Sequence, residues 1–345
     1  MKKINLFFTV LLAVIVMQNG FAQTTFRGFA NTQFDQPLSG KDVNGNTQKN
    51  AFGIGQYDNY VTSQLSDRFS FLGEVVFEYD GKTARLDVER VIIKYEWNNA
   101  FNIQMGKFHT ALGYWNNAYH HGELLQPTMA RPFAVKFEDE GGVMAVHTTG
   151  LSFTGDNIGK LNFGYDVMVG NGIGSSPVWD NNNSKSVTMN LRIEPIEGVK
   201  LGASFYNDFV AGGSSTPFRL DSIVKVGTNQ NIFNGYLVIK KSNLEVISEY
   251  YKINNKNAIM GNTSHDAFFA YAGYTINKVT PYVQFDYMKY DTKDFMYLNN
   301  NKNLTTIGFR YELAPLAVFK AGYRFGNTQL GGDYNGVQAQ IAWGF

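Results

Sequence analysis

The residues of this chain best suited to move protons or hold a metal are His109, His120, His121, His147 and His265. None stands in a local signature for either role, since there is no Gly-x-Ser-x-Gly elbow and no His-Glu-x-x-His pair. His120 and His121 are followed by Glu123, but adjacent side chains on extended backbone point apart and no third residue follows at ligand spacing. The sequence therefore assigns no metal centre, no cofactor and no catalytic residue. It predicts instead a histidine pair beside water that titrates near neutrality. With no cysteine, thiolate metal sites, thiol nucleophiles, disulfides and lipoprotein processing are all excluded.

The remaining chemistry is charge. Segment 111–141 carries the acids Glu123, Glu138, Asp139 and Glu140 and the bases Arg131 and Lys136, with His109 at its edge. Polar positions of the flanking alternating segments supply Arg27, Arg85, Arg90 and Lys94 early in the chain and Arg310, Lys320 and Arg324 late. Acids at equivalent positions are Glu74, Glu78, Asp87, Glu89, Asp286 and Glu312. Acids on a loop facing bases on a wall would set a field across a water-filled gap and bias which ions cross it. Arg90 and Lys94 fall on the polar side only if the alternation switches parity near Glu89, which predicts a β-bulge there.

The elements that must position these groups are strands. Helical periodicity is nearly absent and alternation by two is common. Over 186–194, Val187, Met189, Leu191 and Ile193 share one face while Thr188, Asn190, Arg192 and Glu194 share the other. Over 160–170, Leu161, Phe163, Tyr165, Val167 and Val169 oppose Asn162, Gly164 and Asp166. About sixteen such segments follow one another, centred near Phe29, Tyr57, Val75, Val88, Ile103, Val146, Tyr165, Met189, Ala203, Tyr236, Ile247, Ala270, Val283, Ile307, Phe319 and Ala339, with no break that divides a second domain.

The chain has 30 Lys+Arg against 29 Asp+Glu, so no basic excess invites nucleic acid, and 28 Phe with 20 Tyr make it too aromatic for disorder. One segment alone is uniformly apolar. Met1, Lys2 and Lys3 precede an apolar stretch over 4–17, and Gly20-Phe21-Ala22 sets small residues at a cleavage site. Residues 1–22 are expected to be a signal peptide removed before Gln23, leaving residues 23–345 as the mature chain with a formal charge of −1. Nothing after Ala22 approaches the roughly 18 apolar residues of a membrane helix, so the mature chain is either water-soluble or a closed membrane β-barrel.

The connectors favour the barrel. Short turns at 66–68, 96–99, 154–159, 195–198, 241–243, 277–278 and 314–316 alternate with longer polar loops at 37–50, 111–141, 172–185, 210–230, 254–264, 290–303 and 326–335. Only 80–83 is short where a long loop is due. Membrane barrels have this asymmetry, whereas a soluble sandwich has no reason to keep it in register. Aromatic residues gather near strand ends (Tyr57 and Tyr60, Tyr95 and Trp97, Tyr250 and Tyr251, Tyr323 and Phe325), as interfacial girdles do. The last strand sets Val337, Ala339, Ile341, Trp343 and Phe345 on one face and ends without a polar tail.

Together these features resemble Gram-negative outer-membrane porins. The terminal Phe345 with Trp343 is similar to the signal by which the outer-membrane assembly machinery recognises such barrels. The stretch from Gly106-Lys107-Phe108-His109 through Glu138-Asp139-Glu140-Gly141-Gly142 resembles porin-like proteins of the Bacteroidota, distantly related to the phosphate-selective porin O and P family. No Lys- or Arg-rich run occurs in the loops, so phosphate selectivity does not carry over. The resemblance implies an all-β transmembrane antiparallel barrel in the outer membrane, a homotrimer, and contact with lipid and lipopolysaccharide. It also implies that the third long loop folds inward as a constriction. The third long-side loop here is 111–141, the longest connector, and Tyr114, Trp115, Tyr119, Leu124, Leu125, Met129 and Phe133 make it unusually apolar. The function expected is passive diffusion of small hydrophilic solutes and ions, with weak ion selectivity. A barrel enzyme, lipase or protease, and a plugged adhesion or structural barrel remain as alternatives.

Overall fold

A computed structural model describes residues 23–345 apart from positions 43, 80–83, 121, 138–141, 174–179, 217–221 and 299. The expected signal peptide, His121, Glu138, Asp139 and Glu140 lie outside the described residues. The strands are β1 (Gln23–Ser39), β2 (Ala51–Gln64), β3 (Phe69–Tyr79), β4 (Ala84–Asn98), β5 (Phe101–His109), β6 (His147–Ile158), β7 (Phe163–Gly170), β8 (Ser186–Ile196) and β9 (Val199–Val210). After the two-residue strands β10 (Ser215–Thr216) and β11 (Ser222–Ile223) come β12 (Thr228–Lys241), β13 (Leu244–Asn257), β14 (Gly261–Tyr274), β15 (Val279–Lys289), β16 (Lys302–Ala314), β17 (Ala317–Thr328) and β18 (Gly332–Gly344).

Apart from the small β10–β11 hairpin, these strands form one antiparallel sheet in which each pairs with its chain neighbours and β1 closes on β18. The protein is a sixteen-strand transmembrane barrel. Closure satisfies every strand edge, which a hydrocarbon environment demands. The seam is held to the last residue: Gly28 N–H donates to Phe345 O at 2.9 Å and Phe345 N–H to Gly28 O at 3.0 Å. No helix among the described residues is long and apolar enough to cross a membrane.

The two faces invert the partition of a soluble protein. Outward side chains such as Phe52, Ile54, Phe77, Leu86, Phe233, Ile307 and Trp343 are exposed, whereas Asn31, Asp58, Glu74, Gln230, Gln284 and Lys320 are buried inside. An apolar exterior around a polar interior matches a bilayer outside and water within.

Fifteen of the sixteen expected strand centres fall inside strands; Val146 does not. Val143, Met144, Ala145 and Val146 are all but fully buried within the barrel, and β6 begins one residue later. An apolar run packed in the lumen looks, in sequence, like a lipid-facing one. Two loops are also shorter than expected. Polar residues of 254–264 stay in the ladder, with Asn255 paired to Thr263, so only 258–260 turn the chain; likewise only 329–331 separate β17 from β18. Strands continue past the point where their outward residues become polar, and hydropathy cannot follow them there.

Candidate functional site

The connector from β5 to β6 folds into the barrel. It carries a short helix, α1 (Trp115–Ala118), and a 3-10 turn (Phe133–Val135). Its apolar residues Leu112, Trp115, Tyr119, Phe133 and Val135 join Tyr206, Ile232, Ile247, Tyr251 and Phe269 of the inner wall in one buried cluster. The inner face of β13 is accordingly apolar where the lumen holds protein rather than water.

Polar wall groups take up the loop's backbone. Buried Glu249 on β13 accepts the N–H groups of Tyr114 (3.0 Å) and Trp115 (2.6 Å), with Tyr251 Oη at 2.6 Å and Asn234 Nδ2 at 3.1 Å completing its shell. Gly113 N–H donates to Ser204 Oγ on β9 at 3.1 Å. Gly113 has φ +80°, and a Cβ there would strike Glu249 and Tyr251, so glycine is what allows the chain to sit against the wall. On the opposite side, Arg310 Nη1 donates to Leu124 O (2.7 Å) and Gln126 O (3.1 Å). Lys320 Nζ donates to Glu123 O and Thr128 O. Arg131 stitches the loop to itself through Val135 O and His120 O, over the Phe137 ring.

The wall positions named from sequence thus divide. Arg310 and Lys320, expected as lumen charges, donate to loop carbonyls, because a carbonyl-rich chain without regular structure fills that part of the bore. Glu312 partners Arg310 at 2.8 Å. Arg27 is exposed near the short-turn end, opposite Tyr60. Arg85 is exposed on β4, and Asp87 lies 3.8 Å from Lys107. Lys94 pairs with Glu96 at 3.4 Å. Arg90 pairs with buried Glu74. The expected bulge is present: Glu74 pairs with Arg90 and Val75 with Val88, so Glu89 is the extra residue and both Glu89 and Arg90 point inward.

Three histidines converge at the root of the loop. His109 ends β5, His147 begins β6 directly opposite it, and His120 follows α1. Their ligand-capable nitrogens lie within 4.8 Å of one another. His147 Nε2 is 2.5 Å and His120 Nε2 4.0 Å from Glu89 Oε2, and His109 Nε2 is 4.0 Å from Glu74 Oε2. Local spacing offered His120 no third partner; β-sheet register supplies two.

Open space remains on the other side of the bore. A cavity of about 440 Å³ separates the loop (Glu123, Gln126, Arg131, Lys136) from Asn31, Gln33 and Asp35 on β1, Gln56 on β2, Arg324 on β17 and Gln338 and Gln340 on β18. It shares Lys136 and Arg324 with a second space of about 610 Å³ toward the long loops, lined also by Lys41, Lys49, Lys302 and Asp42. Arg324 Nε and Nη2 are buried with no acceptor among the described residues. Sequence reasoning missed Glu249, Lys41, Lys49, Lys302 and Asp35. Glu249 alone left a trace, as a lone carboxylate on the apolar inner face of β13, between Ile247 and Tyr251.

Searches against family models and curated proteins return no match. Among solved structures the barrel is similar to the anion-selective porin from Comamonas acidovorans, with a TM-score of 0.69 at 12% identity over 94% of this chain and 100% of that one. It is also similar to the trimer form of OmpT, an outer membrane protein of Vibrio cholerae, with a TM-score of 0.66 at 13% identity over 94% and 100%. Salmonella typhi OmpF, solved with daunomycin, follows with a TM-score of 0.65 at 13% identity over 93% and 97%. At these identities the likeness is one of fold.

Proposed function

We propose that this chain is an outer-membrane porin in which small hydrophilic solutes and ions diffuse through the gap between the inward-folded loop and the wall of β1, β2, β17 and β18, with a preference for anions. The observation that carries the reading is the polar lining of that gap, in which, among the described residues, the cations Arg131, Lys136 and Arg324 outnumber the acids Asp35 and Glu123. Among the described residues, the approach from the long-loop side adds Lys41, Lys49 and Lys302 against Asp42. Rings of one sign select by charge at close quarters, and the Arg324 donors that find no acceptor among the described residues are an anion's natural counterpart. The near-neutral composition hides this, because the bases meet only after folding.

Export by the 1–22 signal peptide, insertion through the assembly machinery guided by Trp343 and Phe345, contact with lipopolysaccharide and assembly as a homotrimer belong to the same proposal. The likeness to porins and to a barrel described in trimer form supports them. At His265 hydrolytic chemistry finds little footing. His265 receives the Asp291 N–H on Nδ1 at 3.0 Å and meets Asp294 through Nε2 at 2.9 Å, which leaves no ring nitrogen to activate a nucleophile. One observation favours a plugged barrel instead: the loop's apolar cluster fills the half of the bore facing β9 and β12–β15.

Planar bilayers separate these readings. The porin gives stepwise conductance, and a salt gradient gives a reversal potential of anionic sign that collapses in Arg324→Gln/Lys136→Gln. Absence of conductance from correctly folded barrels, or a cationic reversal potential, defeats the proposal.

A further inference from the structure

The histidine cluster lies outside the proposed gap, and its chemistry is not that of a diffusion path. We propose that His109, His120 and His147, with the Glu89 carboxylate, bind a borderline divalent transition-metal ion such as Zn²⁺, which clamps the root of the constriction loop to the β4 wall.

The donor set is three imidazoles and one carboxylate, a combination suited to tetrahedral zinc. Zinc bonds of about 2.0–2.1 Å put neighbouring ligand atoms about 3.4 Å apart in a tetrahedron. The present nitrogens, all within 4.8 Å, need only small side-chain rotations to reach that spacing. The donors come from three separate places, the paired ends of β5 and β6, the loop beyond α1, and the β4 bulge, so a shared ion would cross-link all three.

The orientation of His120 fits a ligand. Asn116 Nδ2 donates to Thr110 O (2.8 Å) and Val146 O (3.1 Å), which fixes the amide so that its Oδ1 faces His120 Nδ1 at 2.7 Å. Nδ1 must then carry a proton, and in the neutral ring the lone pair is on Nε2, 4.0 Å from Glu89 Oε2. Both atoms are within reach of one shared cation, and His147 Nε2, 2.5 Å from the same oxygen, would move apart from it to reach tetrahedral ligand spacing. An outer N–H bonded to an amide oxygen is also how ligating histidines are held in metal sites.

Charge points the same way. Glu74 takes the Arg90 guanidinium, and Asp58 lies fully buried nearby. That leaves the buried Glu89 carboxylate facing imidazoles rather than a guanidinium, a charge that a divalent ion bound there would neutralise. His109 and His120 stack at 3.9 Å between ring centroids, a distance that disfavours charging both rings as an alternative. The His109 and His147 side chains keep 10% and 15% of their exposure, which gives an ion a route from the lumen.

The test uses the full mature barrel in detergent, stripped with EDTA and dialysed against Zn²⁺, with metal counted by mass spectrometry. About one zinc per barrel is expected, and Co²⁺ in its place should give visible d–d bands of tetrahedral intensity. His147→Gln and His109→Gln should abolish both signals, and Asn116→Leu should weaken binding by about 10–100-fold. His265→Gln, which touches none of these residues, should retain them. Heat-dependent migration on denaturing gels verifies that each variant is folded; a further readout is zinc-induced thermal stabilisation, present in wild type and absent in His147→Gln. Substoichiometric zinc in the wild type, or stoichiometric zinc that survives both substitutions in folded barrels, overturns the proposal.

Discussion

Replacing Glu249 with alanine tests whether the loop is held inside by its wall contacts. The carboxylate receives two loop N–H groups, from Tyr114 and Trp115, in a site with no solvent access. Hydrogen bonds to a charged acceptor are worth about 1.5–3 kcal/mol each, so their loss costs the docked loop roughly 3–6 kcal/mol. At about 1.4 kcal/mol per tenfold, the ratio of docked to released loop falls by two to four orders of magnitude. Arg310 and Lys320 hold the far side of the loop, so release begins at α1 while the tip stays attached. Single-channel recording should show larger or flickering steps in Glu249→Ala. Glu249→Gln keeps one acceptor oxygen but faces an N–H₂ against loop donors, and should lie between. The barrel itself, whose ladder does not use this side chain, should still form, as gel migration will show. A folded Glu249→Ala barrel with wild-type conductance and noise would refute the idea that this carboxylate docks the loop.

Gly113→Ala should act in the same direction, since its methyl group meets Glu249 and Tyr251 and the φ of +80° is strained for alanine, by about 1–2 kcal/mol; conductance noise reads it. Lys320→Met keeps the stem but leaves the carbonyls of Glu123 and Thr128 without their donor, so susceptibility to proteolysis between 123 and 130 should rise. In the loop after β15, burial works to raise the Asp294 carboxyl, but hydrogen bonds from His265, Asn255, the Met296 N–H and Thr263 outweigh it and hold the group below its ordinary value of 3.8. A depressed carboxyl stabilises above its unfolded value and loses that contribution as pH falls through the folded one. Hydrogen exchange over 290–301, corrected for intrinsic rate, should therefore be flat from pH 7 to about 4 and accelerate below the folded value. Removing Phe345 deletes the two seam hydrogen bonds with Gly28 and its ring contact with Tyr57, and should lower thermal stability by about 1–3 kcal/mol as followed by circular dichroism.

The alternation of Val187 to Ile193, the short-long rhythm of the connectors and the apolar final strand determine a closed barrel from sequence alone, because period-two patterning and the need to pair every edge are local consequences of residue type. Even the bulge at Glu89 is legible, since Arg90 and Lys94 cannot join Arg85 and Asp87 on the polar side without it. What fills the bore is not. Whether Val143 to Val146 meets lipid or protein, whether Lys320 faces water or loop carbonyls, and whether His120 has company are decided by a connector crossing a cylinder. Its partners, Glu249, Arg310 and Lys320, stand well over a hundred positions away along the chain. Glu89, His109 and His147 come together because one strand is bulged and two are paired in register. The grouping of bases along the gap arises in the same way, from Lys41, Lys136, Lys302 and Arg324, which are far apart in sequence and line one space only once the sheet has closed.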